Sequence, residues 1–372
     1  MAKRRYELDS RVFTIFFFVA IPFVVFGSFL VISMVRCRLE GALGASFEQQ
    51  AIGTQLQLER YVGDQIVHLR ILANDPLVRG AVRAQTPSPT DASRLESAWA
   101  RGEDPKTLAP LLQSPLASHL RDLVRLRTAL RLVQVTDGGG RLVASSSRAG
   151  RLLNAEAPWF RAVAAQEGEQ ALVGDIRRQP NSALPVLEIA YPVLDAERGL
   201  VGAVRTLLDA GDLFGVLAPV RVGRTGHAVL LRATDGVILA SDDSRAVLQD
   251  VFPGFDSVQN ALERERRGHW TVPEIRREGA VVEPARVVGF SPVDQVPGVR
   301  WLVAVEQDAV EATAPVTAVT RYLWVHFLGA FGSVILLALY FSFKLEQPVI
   351  EEELHLHEEH LPAAFRRTGT EG

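Results

Sequence analysis

Two stretches of the chain carry no charged residue, Val12–Val35 and Tyr322–Phe343. Each reaches the roughly 20 residues with which a helix crosses the hydrocarbon core of a bilayer, so each predicts a membrane span. Pro22 and Gly27 in the first and Gly329 and Gly332 in the second fit that reading, because membrane helices tolerate both residue types better than soluble ones. Tyr322 and Trp324 stand at the entrance of the second run, where interfacial aromatic residues collect. The first run is longer than the apolar core of a cleaved signal peptide, which predicts a retained anchor.

Beyond the first run, Leu39, Leu43, Phe47, Ala51, Leu58, Val62, Ile66, Leu69 and Ala73 recur at helical spacing. They predict an amphipathic stalk helix over 36–75, interrupted at Asp75-Pro76. At 1.5 Å per residue it would reach roughly 50 Å from the bilayer. Its apolar stripe would stay wet in a monomer, which predicts a parallel homodimer. Residues 85–118, with Thr86-Pro87-Ser88-Pro89, Trp99, Pro105, Pro110 and Pro115, read as loop and short helices, followed by a helix from Leu116 to Ala129.

An internal repeat organises the chain between that helix and the second apolar run. RLVQVTDGGGRLVASS (131–146) and AVLLRATDGVILAS (228–241) are both alternating strand, Asp-Gly turn and second strand. Downstream, VLEIAYPV and LVGAVRTLLD around Glu197-Arg198-Gly199 match RVVGFSPV and VRWLVAVEQD around Pro297-Gly298. Each copy is hairpin, helical excursion, hairpin, closing at Asp209 or Asp308. That predicts an α+β fold of two antiparallel-sheet units. The expected domains are an N-terminus (1–11), first span (12–35), stalk (36–75), distal unit (76–215), proximal unit (216–320), second span (322–343) and tail (344–372).

Asp137-Gly138 through Ser145, Pro158-Trp159-Phe160, Pro192-Val193, Val222-Gly223-Arg224-Thr225-Gly226-His227 and Asp235-Gly236 occur in an order that resembles the double Cache sensor domains of bacterial chemoreceptors and sensor kinases. The resemblance implies PAS-like units, a small ligand in the membrane-distal unit and a relay role for the proximal one. It also implies an Arg two residues before the Trp in members that bind amino acids. Here that position is Ala157, and the Tyr that accompanies the acidic residue has no counterpart near Asp175.

Candidate ligand contacts in the distal unit are Trp159 and Phe160 as an aromatic wall, Asp175 and Asp209 as carboxylates, Arg177 and Arg178 as cations, and Tyr191 as a hydroxyl. Trp159 and Phe160 could equally pin their helix to the sheet, and Asp209 could cap the helix near Gly211. If Asp175 and Asp209 face the pocket, an amine fits; if Arg177 does, an organic acid fits.

Charge narrows the functional classes. The net charge is −3, with no basic block beyond Lys3-Arg4-Arg5, so nothing calls for nucleic acid. A mean hydropathy of +0.12 reflects the two apolar runs. Lys3, Arg4, Arg5 and Arg11 outweigh Arg36 and Arg38, which predicts a cytoplasmic N-terminus, two passes through the bacterial inner membrane, and residues 37–320 outside. A single cysteine, Cys37, excludes an intrachain disulfide. There is no Gly-x-Ser-x-Gly elbow or phosphate-binding fingerprint, and His68, His119, His227 and His269 lack ligand spacing, so no enzyme and no cofactor is expected.

The segment after Lys344 is too short for a kinase or cyclase, which predicts either output through a separate signalling partner or a remnant of a longer receptor. Ile350, Leu354, His357 and Leu361 form a brief coiled-coil seam. Glu353, His357 and His360 share a helix face among other acids, where a solvated surface is the commoner outcome than a metal site. Two functions remain: a sensor of a small molecule, or a membrane-anchored envelope scaffold whose PAS-like units bind protein without a ligand.

Overall fold

The computed structural model describes residues 2–84, 92–103, 106, 108–166, 168–179, 184–242, 246–277 and 280–359. The first uncharged run and the amphipathic stretch form one uninterrupted helix, α1 (Ala2–Ala73), with Pro22 inside it. Sequence divides it into a span and a stalk, but nothing between the two breaks a helix. Asp75 ends that continuity. Its backbone is extended and its carboxylate accepts the Leu77 amide at 2.7 Å, capping α2 (Pro76–Arg83) with proline at the first turn. Short helices α3 (Ala92–Arg101) and α4 (Ala109–Gln113) come next. In α5 (Pro115–Leu126) the Ser114 hydroxyl accepts the Ala117 amide. This helix ends ahead of the expected Ala129, because Arg127 turns extended to feed a strand. The Thr86–Pro89 stretch and Pro105 lie outside the described residues.

The first sheet contains β1 (Leu130–Asp137), β2 (Leu142–Ser145), β3 (Leu172–Val173), β4 (Arg177–Arg178), β5 (Pro185–Leu194) and β6 (Leu200–Asp209). Its order is β2-β1-β6-β5-β3, with β4 also on β5, and α6 (Pro158–Ala164) lies in the excursion. Helix α7 (Gly211–Leu217) leads to the second sheet. There β7 (Arg221–Val222), β8 (Gly226–Arg232), β9 (Ile238–Ala240), α8 (Phe255–Arg264) and β10 (Gly268–Val272) precede a small hairpin, β11 (Ile275–Arg277) and β12 (Ala280–Glu283). Strands β13 (Arg286–Val293) and β14 (Trp301–Asp308) close it, in the order β10-β13-β14-β8-β7 with β9 on β8. Both sheets therefore run excursion strand, penultimate strand, last strand, first hairpin, and the repeated sequence is a repeated strand order. The chain is α+β, with a long N-terminal helix and two PAS-like antiparallel sheets. Helix α9 (Ala309–Glu359) ends the described chain; it includes Ile350, Leu354 and His357 of the expected seam, while His360 and Leu361 lie outside it.

By internal contacts, residues 41–313 form one unit, and residues 1–40 with 314–372 another. In the first unit the amphipathic stripe of α1 packs on the inner faces of both sheets. Phe47, Ala51, Leu58, Val62, Leu69 and Ala73 share a core with Val133, Val135 and Val204 of one sheet and Val287, Val303 and Val305 of the other. Leu58 and Val62 are fully buried, so the stripe that suggested a dimer is covered by the chain's own strands. Gly289 makes that contact, since a β-carbon there would overlap the Phe47 and Glu48 backbone. Glu59 Oε1 fixes the alignment by accepting the amides of Asp294 and Gln295 at 2.8 and 2.9 Å. In the second unit, α1 and α9 are long and apolar enough to cross a membrane. Their large side chains, among them Phe23, Phe26, Phe29, Leu328 and Leu336, are exposed, unlike those of a buried core helix.

Candidate functional site

Strand alternation sorts the first sheet into two faces. Leu187, Ile189 and Tyr191 of β5 and Val204 and Leu208 of β6 face α1. Val186, Glu188 and Ala190, with Ala203, Arg205 and Leu207, take the outer face. In register, Gln134 of β1 lies opposite Arg205, and Arg205 opposite Ala190. Helix α6 covers part of this face through Trp159, Phe160 and Val163, which pack on Ala190 and Ala203.

Between α6 and the strands a cavity of about 340 Å³ remains open. Leu132, Val186 and Leu207 form its apolar floor, Pro158 and Trp159 one wall, and Arg151, Asn154, Arg177, Gln179 and Arg205 its polar groups. Arg205 is the centre of the polar part. Its Nε donates to Glu188 Oε1 at 2.5 Å and its Nη1 to Gln134 Oε1 at 2.9 Å. Arg177 Nη2 donates to the other Glu188 oxygen at 2.7 Å. The Arg205 guanidinium also lies 5.2 Å from the Trp159 ring centroid, a cation–π contact. Burial pulls the Arg205 guanidinium below its ordinary pKa, while the charge and hydrogen bond of Glu188 oppose that pull. A buried pair of this kind holds only because further hydrogen bonds satisfy it, and here Gln134 does so, itself anchored by Nε2 to the Ala149 carbonyl at 2.8 Å.

The expected site residues separate in space. Trp159 and Arg177 line the cavity. Phe160 meets Trp159 edge to face, 5.5 Å between centroids, but belongs to the packed cluster beneath α6. Tyr191 faces α1, three residues from Glu188 and therefore on the opposite side; its hydroxyl donates to the Glu169 carbonyl at 3.2 Å, and burial pushes its phenol pKa up. Asp209 lies just ahead of the α7 N-cap, Ala210, where its carboxylate accepts the Gly211 amide at 2.8 Å while pairing with Arg131.

Asp175 is placed furthest from expectation. Its Oδ2 accepts Arg232 Nε at 2.5 Å and its Oδ1 accepts Trp301 Nε1 at 3.0 Å, both from the second sheet. Residues 174–176 belong to no strand, with only Gly174 donating its amide to the Glu188 carbonyl, so the alternation that would align Asp175 with Arg177 does not hold. Arg178 donates to the Val247 carbonyl at 3.0 Å, and a β-carbon at Gly298 would lie 2.9 Å from the Val173 carbonyl. One short segment thus presents Arg177 and Gln179 to the cavity, fastens Asp175 to the second sheet and ties Arg178 to the turn between β9 and α8.

Gln134, Arg151, Asn154, Glu188 and Arg205 are not singled out by sequence. A signal existed for two of them: Glu188 and Arg205 are lone charges inside apolar strands, which is costly unless they pair. A second hollow of about 330 Å³ lies on the inner side, lined by α1, α5 and β1 with Gln65, His68, Leu72, Asp75, His119 and Arg127. Arg127 is there bonded to Gln65 at 2.8 Å and His119 sits 3.8 Å from Asp75. It lacks a buried charged cluster like that around Arg205. Among the described residues no group of His, Cys, Asp and Glu could hold a metal ion.

A family model described as Cache domain matches residues 42–316. No curated protein sequence matches the chain. Similar solved structures include the ligand-binding domain of the Pseudomonas aeruginosa PAO1 amino acid chemoreceptor PctB in complex with L-Arg. It is 19% identical with a TM-score of 0.45, over 73% of this chain and 97% of that one. The corresponding domain of PctC from the same organism, in complex with GABA, is 17% identical with a TM-score of 0.45, over 70% and 97%. That of the Pseudomonas fluorescens chemoreceptor CtaA in complex with L-isoleucine is 15% identical with a TM-score of 0.45, over 75% and 98%.

Proposed function

The chain belongs to the Cache domain family, and from that premise we propose that it is a membrane-anchored sensory protein whose extracytoplasmic domain binds a small molecule in the outer cavity of the first sheet. The observation that carries this reading is the cavity itself. Trp159 stands as its wall and does not close it, leaving about 340 Å³, within the range of about 300–1,000 Å³ typical of ligand pockets. A scaffold that met only other proteins would have no use for a hollow lined by buried charge.

The route of the signal is set by the segment 173–179. A ligand that moves Arg177 pulls on a stretch fastened by Asp175 to Arg232 and Trp301 of the second sheet, whose last strand runs directly into α9. Output then passes to a separate partner. A homodimer, if it forms through α1, uses Leu56, Val67 and Ile71, which stay exposed, and not the buried stripe.

The test is a thermal-shift screen of chemically diverse metabolites on the full chain in nanodiscs, repeated with Leu207→Trp to fill the cavity. A ligand at 100 times its dissociation constant stabilises by about 2.7 kcal/mol, which is measurable. Hits that vanish in the variant support the reading; no hit, or hits indifferent to the variant, overturn it. For the anchoring, alkaline phosphatase fused after residue 250 is expected to be active in a Gram-negative host and after residue 345 inactive. The opposite pattern removes the extracytoplasmic placement.

A further inference from the structure

We propose that the ligand of this cavity is a small carboxylate with an apolar body and no ammonium group; this rests on the sensory reading and specifies the chemistry of the same site. Three guanidinium groups, Arg151, Arg177 and Arg205, line the cavity, and no Asp or Glu among the described residues does. Glu188, behind them, already accepts one arginine on each oxygen. Among the described residues Arg151 pairs only with Glu96, 3.9 Å away and outside the lining.

The donors left over match a carboxylate. Arg205 uses Nε and Nη1, and its Nη2 has no acceptor among the described residues; Arg177 uses Nη2 alone. Held by one shared glutamate, the two guanidinium groups are pre-oriented side by side, and planar N–H forks of this kind receive carboxylate oxygens with charge-assisted bonds. An ammonium group would meet the opposite conditions. It would enter beside three cations, and no carboxylate among the described lining residues is present to receive it. Asp175, two residues from Arg177, is held by Arg232 and Trp301. The body of the ligand is set by Leu132, Val186, Leu207 and Trp159, which offer aliphatic and aromatic surface.

The experiment is titration calorimetry on the full chain in nanodiscs. The probes are aliphatic and aromatic monocarboxylates from propionate to phenylacetate, each paired with its 2-amino acid and with the amine of the same carbon skeleton. At least one carboxylate is expected to bind, and to exceed both partners by about tenfold or more, the weight of one charged hydrogen bond. Arg177→Gln and Arg151→Gln change largely exposed side chains and leave the core intact; Arg177→Gln is expected to weaken that carboxylate by about tenfold and Arg151→Gln by less. The proposal is overturned if an amino acid or amine equals the carboxylate, if neither substitution alters affinity, or if no carboxylate binds. In each case a metabolite of another class that is lost with Leu207→Trp leaves the sensory reading standing.

Discussion

Across the first sheet, Gln134, Arg205 and Ala190 lie side by side on β1, β6 and β5. Four residues before the closing aspartate of the second sheet, the same row reads Val229, Ala304 and Phe290 on β8, β14 and β13. The strand order is the same, yet the outcomes differ. In the second sheet Phe290 takes the outer face together with Phe252, Phe255, Val258, Val288 and Leu302, which pack as one apolar cluster with α8. In the first, alanine replaces the phenylalanine, and a long charged side chain replaces the alanine beside it. Arg205 cannot pack as an apolar group does; it needs Glu188 and Gln134, and the room around its head remains as a cavity. One copy of the repeat is thereby a binding candidate and the other an apolar-packed neighbour.

The largest effect should come from breaking the charged row. Glu188→Ala leaves Arg205 buried and unpaired and is expected to cost about 3–5 kcal/mol in urea denaturation. Converting the whole row to apolar residues of similar volume, with Gln134→Leu, Glu188→Leu and Arg205→Met together, is expected to return stability to near the wild-type level while abolishing ligand binding. A triple variant as unstable as Glu188→Ala would mean that the row supports the fold in some way other than pairing.

A smaller effect is expected from copying the second sheet into the first. Ala190→Phe places the Phe290 side chain under α6 at an overpacking cost of about 1–3 kcal/mol and is expected to abolish binding by displacing Trp159, the cavity wall that packs in the same cluster. Retained binding in a folded Ala190→Phe protein would move the site elsewhere. No larger in stability, Asp175→Ala removes a partly exposed ion pair and takes the acceptor from the indole N–H of buried Trp301, expected at about 1–3 kcal/mol together. Its consequence lies in coupling: ligand-induced protection of β14 amides in hydrogen exchange should fall, with affinity nearly unchanged. Undiminished protection would show that the two sheets communicate by another route.

Much of the fold was legible because it rests on short-range pattern. The apolar runs at 12–35 and 322–343, the helical stripe from Leu39 to Ala73, and the paired Asp-Gly hairpins all state their structure within a few residues. Even the turns show the limit of local reading. In the second hairpin the positive φ falls on Gly236, as its motif suggests, whereas in the first it falls on Gly140 and not on Gly138. Of the site, Trp159 and Arg177 were readable as candidates, and Tyr191 was misplaced by a single step of strand parity, which sends a side chain to the opposite face.

The sequence by itself determined which segments are helix, strand and apolar span, and that one sheet plan is used twice, because periodicity and turn chemistry act over a few neighbouring residues. Only the tertiary structure decided what covers the stripe of α1, which acids meet which arginines, and where Asp175 goes. Gln134 and Arg205 are 71 positions apart in the chain, and Asp175 and Trp301 126 apart. Such contacts depend on register between strands and on the packing of one sheet beside another. Many residues could satisfy Arg205 equally well by charge alone. Geometry selects Glu188 and Gln134, and in doing so leaves the cavity open.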